Sequence, residues 1–155
     1  IAQKKAIYER YKEGFKDLPV SMNPFDETDS VPNYWLSCLI IDEDAMCKQV
    51  RGEQDALYIS EPGKSCPTEI IDAIASINAE GRPIWKPMHM QPIFRMNPFV
   101  TRHGNGRANT NAYIAGTTLD VGMDIFNRGL CLPSDNKMTI EQQDYIIEVI
   151  KGCFR

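Results

Sequence analysis

The stretch Gly129-Leu130-Cys131-Leu132-Pro133-Ser134, followed shortly by Thr139-Ile140-Glu141-Gln142, reads as a strand running into a helix. Three apolar residues cut off by Pro-Ser predict a short buried strand over Leu130-Cys131-Leu132. In the second run a Thr with a Gln three positions later is a capping box, in which each side chain satisfies the other residue's orphan backbone N–H. Beyond it Tyr145, Ile146, Val149, Ile150 and Cys153 recur at helical spacing, which predicts one apolar face.

Upstream, the same alternation repeats. Ile7, Tyr11 and Phe15 recur every four positions and predict a helix from Ala2 to Phe15, stopped by Leu18-Pro19. Residues 21–32 read as an Asp/Pro/Asn/Ser loop, and Tyr34-Trp35-Leu36-Ser37-Cys38-Leu39-Ile40-Ile41 as a strand. A second helix opens at Pro67, carries Glu69 at its positive end, presents Ile70, Ile71, Ile74 and Ile77 on one face, and ends by Gly81. Ala56-Leu57-Tyr58-Ile59 is a candidate strand, and Thr118 to Arg128 a helix with Thr118 as cap. Helices alternating with short strands predict a small α/β (α+β) layer packing, and 155 residues is a single-domain length. The helical pattern begins at Ile1 with no capping residue before it, which we read as a chain trimmed from a longer protein.

With 43% hydrophobic and 25% charged residues the chain is an ordinary globular sequence. No window approaches the roughly 18 apolar residues of a membrane span, and the charged first residues do not form a signal peptide. A soluble, cytoplasmic protein is expected. The five cysteines, Cys38, Cys47, Cys66, Cys131 and Cys153, are odd in number, widely spaced and without a C-x-x-C pair, so reduced thiols are expected. His89 and His103 are the only histidines and neither has a ligand neighbour at finger spacing, which argues against zinc.

Seventeen Lys+Arg against 21 Asp+Glu give a formal net charge of -4, the wrong sign for a nucleic-acid or anionic-membrane binder. The sum hides a division. From Gly81 to Leu119 there is no acid, while Arg82, Lys86, Arg95, Arg102 and Arg107 give +5 and leave a balance of -9 elsewhere. Within that window Arg82-Pro83-Ile84-Trp85-Lys86-Pro87-Met88-His89-Met90-Gln91-Pro92 reads as an extended edge strand entering a loop. Cations beside an exposed ring and an imidazole suit a small anionic ligand such as a phosphate ester or nucleotide diphosphate. Chance clustering, or pairing with acids elsewhere in the fold, is the plain alternative.

Single residues carry alternatives too. Lys86 fits a solvated or phosphate-pairing cation better than a Schiff-base nucleophile. His89 suits either a packed histidine or a donor to ligand. Gly104-Asn105-Gly106-Arg107 hints at a phosphate loop but lacks the G-K-[ST] ending. Cys131 in an apolar strand reads as core rather than nucleophile.

The run from Arg82 through Phe94, together with Ile125-Phe126-Asn127-Arg128-Gly129-Leu130-Cys131-Leu132-Pro133-Ser134, resembles the C-terminal part of the DegT/StrS-type nucleotide-sugar aminotransferases, particularly the branch making 4-amino sugars. The order of elements agrees over most of the chain and departs over residues 45–64 and 100–116, which look like insertions. The resemblance implies the small C-terminal domain of a fold-type I enzyme dependent on pyridoxal 5'-phosphate. Its Schiff-base lysine would lie on a large N-terminal domain outside this chain. The 155 residues would then hold no catalytic or cofactor-binding residue, and alone would be inactive. The whole enzyme, likened to a homodimer, would move an amino group from an amino acid, typically glutamate, to a keto sugar nucleotide for surface polysaccharide or glycan synthesis. Arg82, Trp85, Lys86, His89 and Gln91 would face that substrate. Two other readings are a stand-alone anion-binding or regulatory module, and an independent hydrolase or transferase using His89 with Cys131 or an acidic partner.

Overall fold

A computed structural model describes residues 1–26, 28–51, 56–94, 97 and 120–155. They form two compact units, one of Ile1–Pro83 with Arg128–Arg155 and one of Ile84–Asn127. In the first unit, helices α1 (Ala2–Gly14), α2 (Pro67–Ala75) and α4 (Ile140–Gly152) accompany a four-stranded antiparallel sheet. Its strands β1 (Val20–Met22), β2 (Cys38–Ile41), β5 (Arg82–Pro83) and β6 (Gly129–Cys131) lie in the order β1-β2-β6-β5. Strands β3 (Lys48–Arg51) and β4 (Ala56–Ile59) pair as a separate antiparallel ribbon.

The core is the inward row of the sheet packed against the helices. Leu39, Ile41 and Leu130 alternate inward with Cys38, Ile40 and Cys131 facing the other way, as period-2 geometry requires. Leu39, Ile41 and Leu130 share one cluster with Ile7, Tyr11 and Phe15 of the α1 segment, Ile70 and Ile74 of α2, and Ile146, Ile147 and Ile150 of α4. The predicted face of α1 is therefore correct. On α4 the buried face is shifted from the predicted one, since Ile147 and Gln143 are buried while Tyr145 is 59% exposed. Gln143 is tolerated there because its Nε2 donates to Ile7 O at 2.8 Å.

The helix starts follow local chemistry. The capping box is present in full, with Thr139 Oγ1 accepting from Gln142 N at 3.2 Å and Gln142 Oε1 accepting from Thr139 N at 2.9 Å. At α2 the cap is Cys66, whose sulfur accepts from Glu69 N at 3.5 Å. Glu69 in turn takes hydrogen bonds from Ser60 Oγ at 2.6 Å and Ser65 Oγ at 2.8 Å, so it ties the segment after β4 to the helix start. That helix stops at Ala75 rather than at Gly81, because Asn78 enters the left-handed region at φ 62 and Ala79 N returns to Ile74 O.

Two stretches differ from the sequence expectation. The strand expected from Tyr34 begins only at Cys38, because Tyr34 has φ 53, a costly conformation for a bulky residue. Its ring is held by Tyr8 and Phe25 at centroid distances of 5.4 and 5.6 Å, and Asn33 Oδ1 accepts from Trp35 N just after it. The loop expected at 21–32 instead starts as β1, whose end is fastened when Asn23 Oδ1 accepts from Cys38 N at 2.9 Å. The departure at 45–64 contains the β3–β4 ribbon, and that at 100–116 lies outside the described residues. No helix among the described residues is long and apolar enough to cross a membrane.

Candidate functional site

The 84–127 unit carries four of the five residues singled out from the sequence. After β5 the chain passes through Trp85 and Lys86 outside any regular element, then Pro87 introduces two tight turns, Met88–Met90 and Pro92–Phe94. These are 3-10 turns where an extended edge was expected; β5 itself is only the two residues Arg82–Pro83, at the sheet edge where proline is tolerated. Gln91 folds back so that its Nε2 donates to Lys86 O at 3.2 Å, which fixes the backbone between the lysine and the histidine. Trp85 stays 64% exposed.

His89 is held at one ring nitrogen. Its Nε2 lies 2.5 Å from Asp120 Oδ2, with side chains only 15% and 7% exposed. Asp120 does two jobs at once: its other oxygen, Oδ1, accepts from Met123 N at 3.0 Å and so caps helix α3 (Val121–Arg128). The sequence expectation of Thr118 as the cap falls outside the described residues. A β-carbon on Gly122 would stand 3.3 Å from Pro87 Cγ, so a glycine in the first turn of α3 lets the Pro87–His89 turn sit close. A charged or hydrogen-bonded imidazole with a buried carboxylate behind it has a fixed ring plane, which is what a ligand donor needs.

Arg82 belongs to the other unit. Its Nε and Nη2 donate to Glu80 Oε1 at 2.9 and 2.5 Å, with both side chains more than 70% exposed. A pair that exposed is weak and exchangeable, so Arg82 is able to leave it for a stronger anion. The carboxylates that bound the acid-free window, Glu80 and Asp120, are thus the partners of its first arginine and its first histidine. Counting only the window inflates the local field. Arg95, Arg102, Arg107, His103 and the Gly104–Arg107 loop lie outside the described residues.

Asp120 is the residue sequence reasoning missed. The signal existed: an Asp directly before an apolar-periodic run is a helix-cap pattern, one position past the window's edge. Elsewhere, a groove of about 580 Å³ between the 77–80 turn, the 133–138 loop and α4 contains none of Arg82, Trp85, Lys86, His89 and Gln91. All five cysteines are free thiols, and no metal-holding cluster of His, Cys, Asp and Glu exists among the described residues.

No family model matches the chain. In sequence it is 29% identical over 154 residues to EpsN of Bacillus subtilis, which is named as a pyridoxal phosphate-dependent aminotransferase; the match takes in 99% of this chain and 31% of that protein. Among solved structures, a Streptococcus pneumoniae protein named as a sugar aminotransferase, in its PLP form, superposes with a TM-score of 0.65 at 19% identity, over 99% of this chain and 31% of its own. A DegT DnrJ EryC1 StrS aminotransferase from Brucella abortus gives 0.56 at 17% identity, over 97% and 30%. The chain is similar to the DegT/StrS aminotransferases and has the fold of their C-terminal portion. It spans about a third of the length of these aminotransferases. The mixed helices and small antiparallel sheets described above are those of that aminotransferase portion, as expected from the Arg82–Phe94 and Ile125–Ser134 motifs.

Proposed function

We propose that the 155 residues are the substrate-facing C-terminal domain of a pyridoxal phosphate-dependent aminotransferase acting on a keto sugar nucleotide. The amino donor is an amino acid, glutamate by preference, and the product serves surface polysaccharide or glycan synthesis in the cytoplasm, with the full enzyme a homodimer. The observation that carries this reading is the Trp85–Gln91 stretch. It holds a lysine, an exposed indole and an oriented histidine on a backbone fixed by Gln91 and Asp120.

On this reading the cofactor is held by the remainder of the protein. Lys86 lies between β5 and the Met88–Met90 turn. A Schiff-base lysine is assigned to the remainder of the protein, and the isolated chain is expected to be inactive. On this reading Lys86 and Arg82 neutralise diphosphate oxygens, His89 donates to a sugar or phosphate oxygen, Gln91 holds the turn, and Trp85 covers an apolar face.

In the full-length protein, Lys86→Ala and Arg82→Ala should raise the Michaelis constant for the sugar nucleotide while the half-reaction with glutamate changes little. Equal loss in both half-reactions would count against substrate contact. Turnover by the 155 residues alone, abolished by His89→Ala, would place the chemistry inside this chain and overturn the reading.

A further inference from the structure

The outward row of the four-stranded sheet brings two cysteines together. Cys38 of β2 and Cys131 of β6 are register partners, and their sulfurs lie 3.7 Å apart. The pair type is set by the hydrogen bonds around it. Leu132 N donates to Ser37 O at 2.8 Å, which makes the next pair along the ladder a hydrogen-bonded one. The backbone groups of Cys38 turn the other way, its N–H to Asn23 Oδ1 and its carbonyl to Asn23 N. Cys38 and Cys131 are therefore a non-hydrogen-bonded antiparallel pair, the type in which opposite α-carbons come to about 4.5 Å and side chains are closest. That separation falls inside the range a disulfide spans, roughly 4.4–6.8 Å between α-carbons, so small side-chain rotations suffice to close the sulfur gap.

We propose that Cys38 and Cys131 form a thiol–disulfide modification site that a small disulfide such as oxidised glutathione closes. Cys38, half-buried at the surface, is the sulfur that meets the reagent, and Cys131, 6% exposed, is the one that resolves it. In the first step the Cys38 thiol loses its proton to solvent and its sulfur attacks the small disulfide, forming a mixed disulfide and releasing one thiolate. In the second, the Cys131 thiolate attacks the Cys38 sulfur, forming the Cys38–Cys131 bond and releasing the second thiolate. The protein loses two protons and two electrons, and the small disulfide is reduced to two thiols. The division follows from access alone, because either sulfur can be the donor in the 3.7 Å contact and only Cys38 is partly open to a reagent.

The position gives the bridge a consequence. Arg82 of β5 is the register partner of Cys131 on its other side, and the chain returns into β6 through Arg128. The excursion of residues 84–127 that carries Lys86 and His89 thus leaves and re-enters within a few residues of this pair. A covalent link between β2 and β6 clamps the strand that receives it.

The test uses the full-length protein incubated with oxidised glutathione, quenched by alkylation, digested without reductant and analysed by mass spectrometry. The expected result is a Cys38–Cys131 cross-linked peptide, loss of the alkylated form of both cysteines, and reversal by dithiothreitol. In Cys131→Ser a glutathione adduct on Cys38 should persist, because nothing resolves it. A wild-type protein in which Cys38 remains fully alkylated, or keeps glutathione without bridging, overturns the proposal. So does a Cys47–Cys66 bridge in its place.

Discussion

Gly14 at the end of α1 lies against Ile147 of α4 so closely that a β-carbon there would stand 2.8 Å from Ile147 Cδ1 and 2.9 Å from Cγ2. The two helices meet through a glycine where Ile147, 5% exposed, is part of the core.

Gly14→Ala therefore sets two effects against each other. Alanine gains about 1 kcal/mol of helix propensity, while overpacking a filled contact costs roughly 1–3 kcal/mol. The second should win, lowering the thermal midpoint, and Ile147→Val in the same protein should restore part of the loss. A midpoint raised by Gly14→Ala would mean that Ile147 moves aside freely.

Tyr11 is wholly buried and its hydroxyl donates to Pro133 O at 2.9 Å, joining α1 to the end of the β6 segment. Tyr11→Phe should cost about 1–2 kcal/mol in chemical denaturation, because the carbonyl loses its donor. Burial raises the phenol's pKa above its ordinary value. A raised folded-state value means that stability is fully present below about pH 10, the unfolded value, and is lost as pH rises beyond it. Tyr11→Phe should flatten that alkaline decline. An unchanged alkaline slope would show that other groups cause it.

Asp120 both holds His89 and caps α3, and two substitutions separate these jobs. Asparagine retains a cap-competent oxygen but removes the charge behind the imidazole, whereas alanine removes both. On the proposed function, Asp120→Asn in the full-length protein should raise the Michaelis constant for the sugar nucleotide at nearly unchanged thermal midpoint. Asp120→Ala should do the same and also lose about 1 kcal/mol of stability. If asparagine left the Michaelis constant unchanged, His89 would not depend on that carboxylate.

Burial pushes the Cys47 thiol up to about 12 and the Cys153 thiol up to about 11. At pH 8 only about one Cys153 in a thousand is thiolate, and fewer for Cys47, so both should resist alkylation in the folded protein and react once it unfolds. Rapid labelling of Cys47 or Cys153 under native conditions would contradict this.

The parts legible in the sequence are those whose signal is local. Helix α4 declares itself through Thr139 and Gln142, three residues apart, and α1 through Ile7, Tyr11 and Phe15 on one face. The two runs that carry the resemblance are equally local, being continuous. Strands β1 and β3 were not legible, because three or four residues become a strand only when a partner accepts their hydrogen bonds. Tyr34 shows the converse: its run looks like a strand, yet packing on Tyr8 and Phe25 holds it at positive φ and delays the strand to Cys38.

The sequence by itself determined the helices, the layer class, the acid-free window and the similarity carried by Arg82–Phe94. Tertiary structure alone decided which side chains within and beyond those stretches meet. Asp120 reaches His89 across 31 positions, and Cys131 reaches Cys38 across 93, through a strand register that no spacing encodes. Periodicity records which face a residue presents to the core, whereas pairing depends on how separate elements align. For the two cysteines that alignment is chosen by the packing of Leu39, Ile41 and Leu130 beneath the helices, not by the paired residues themselves.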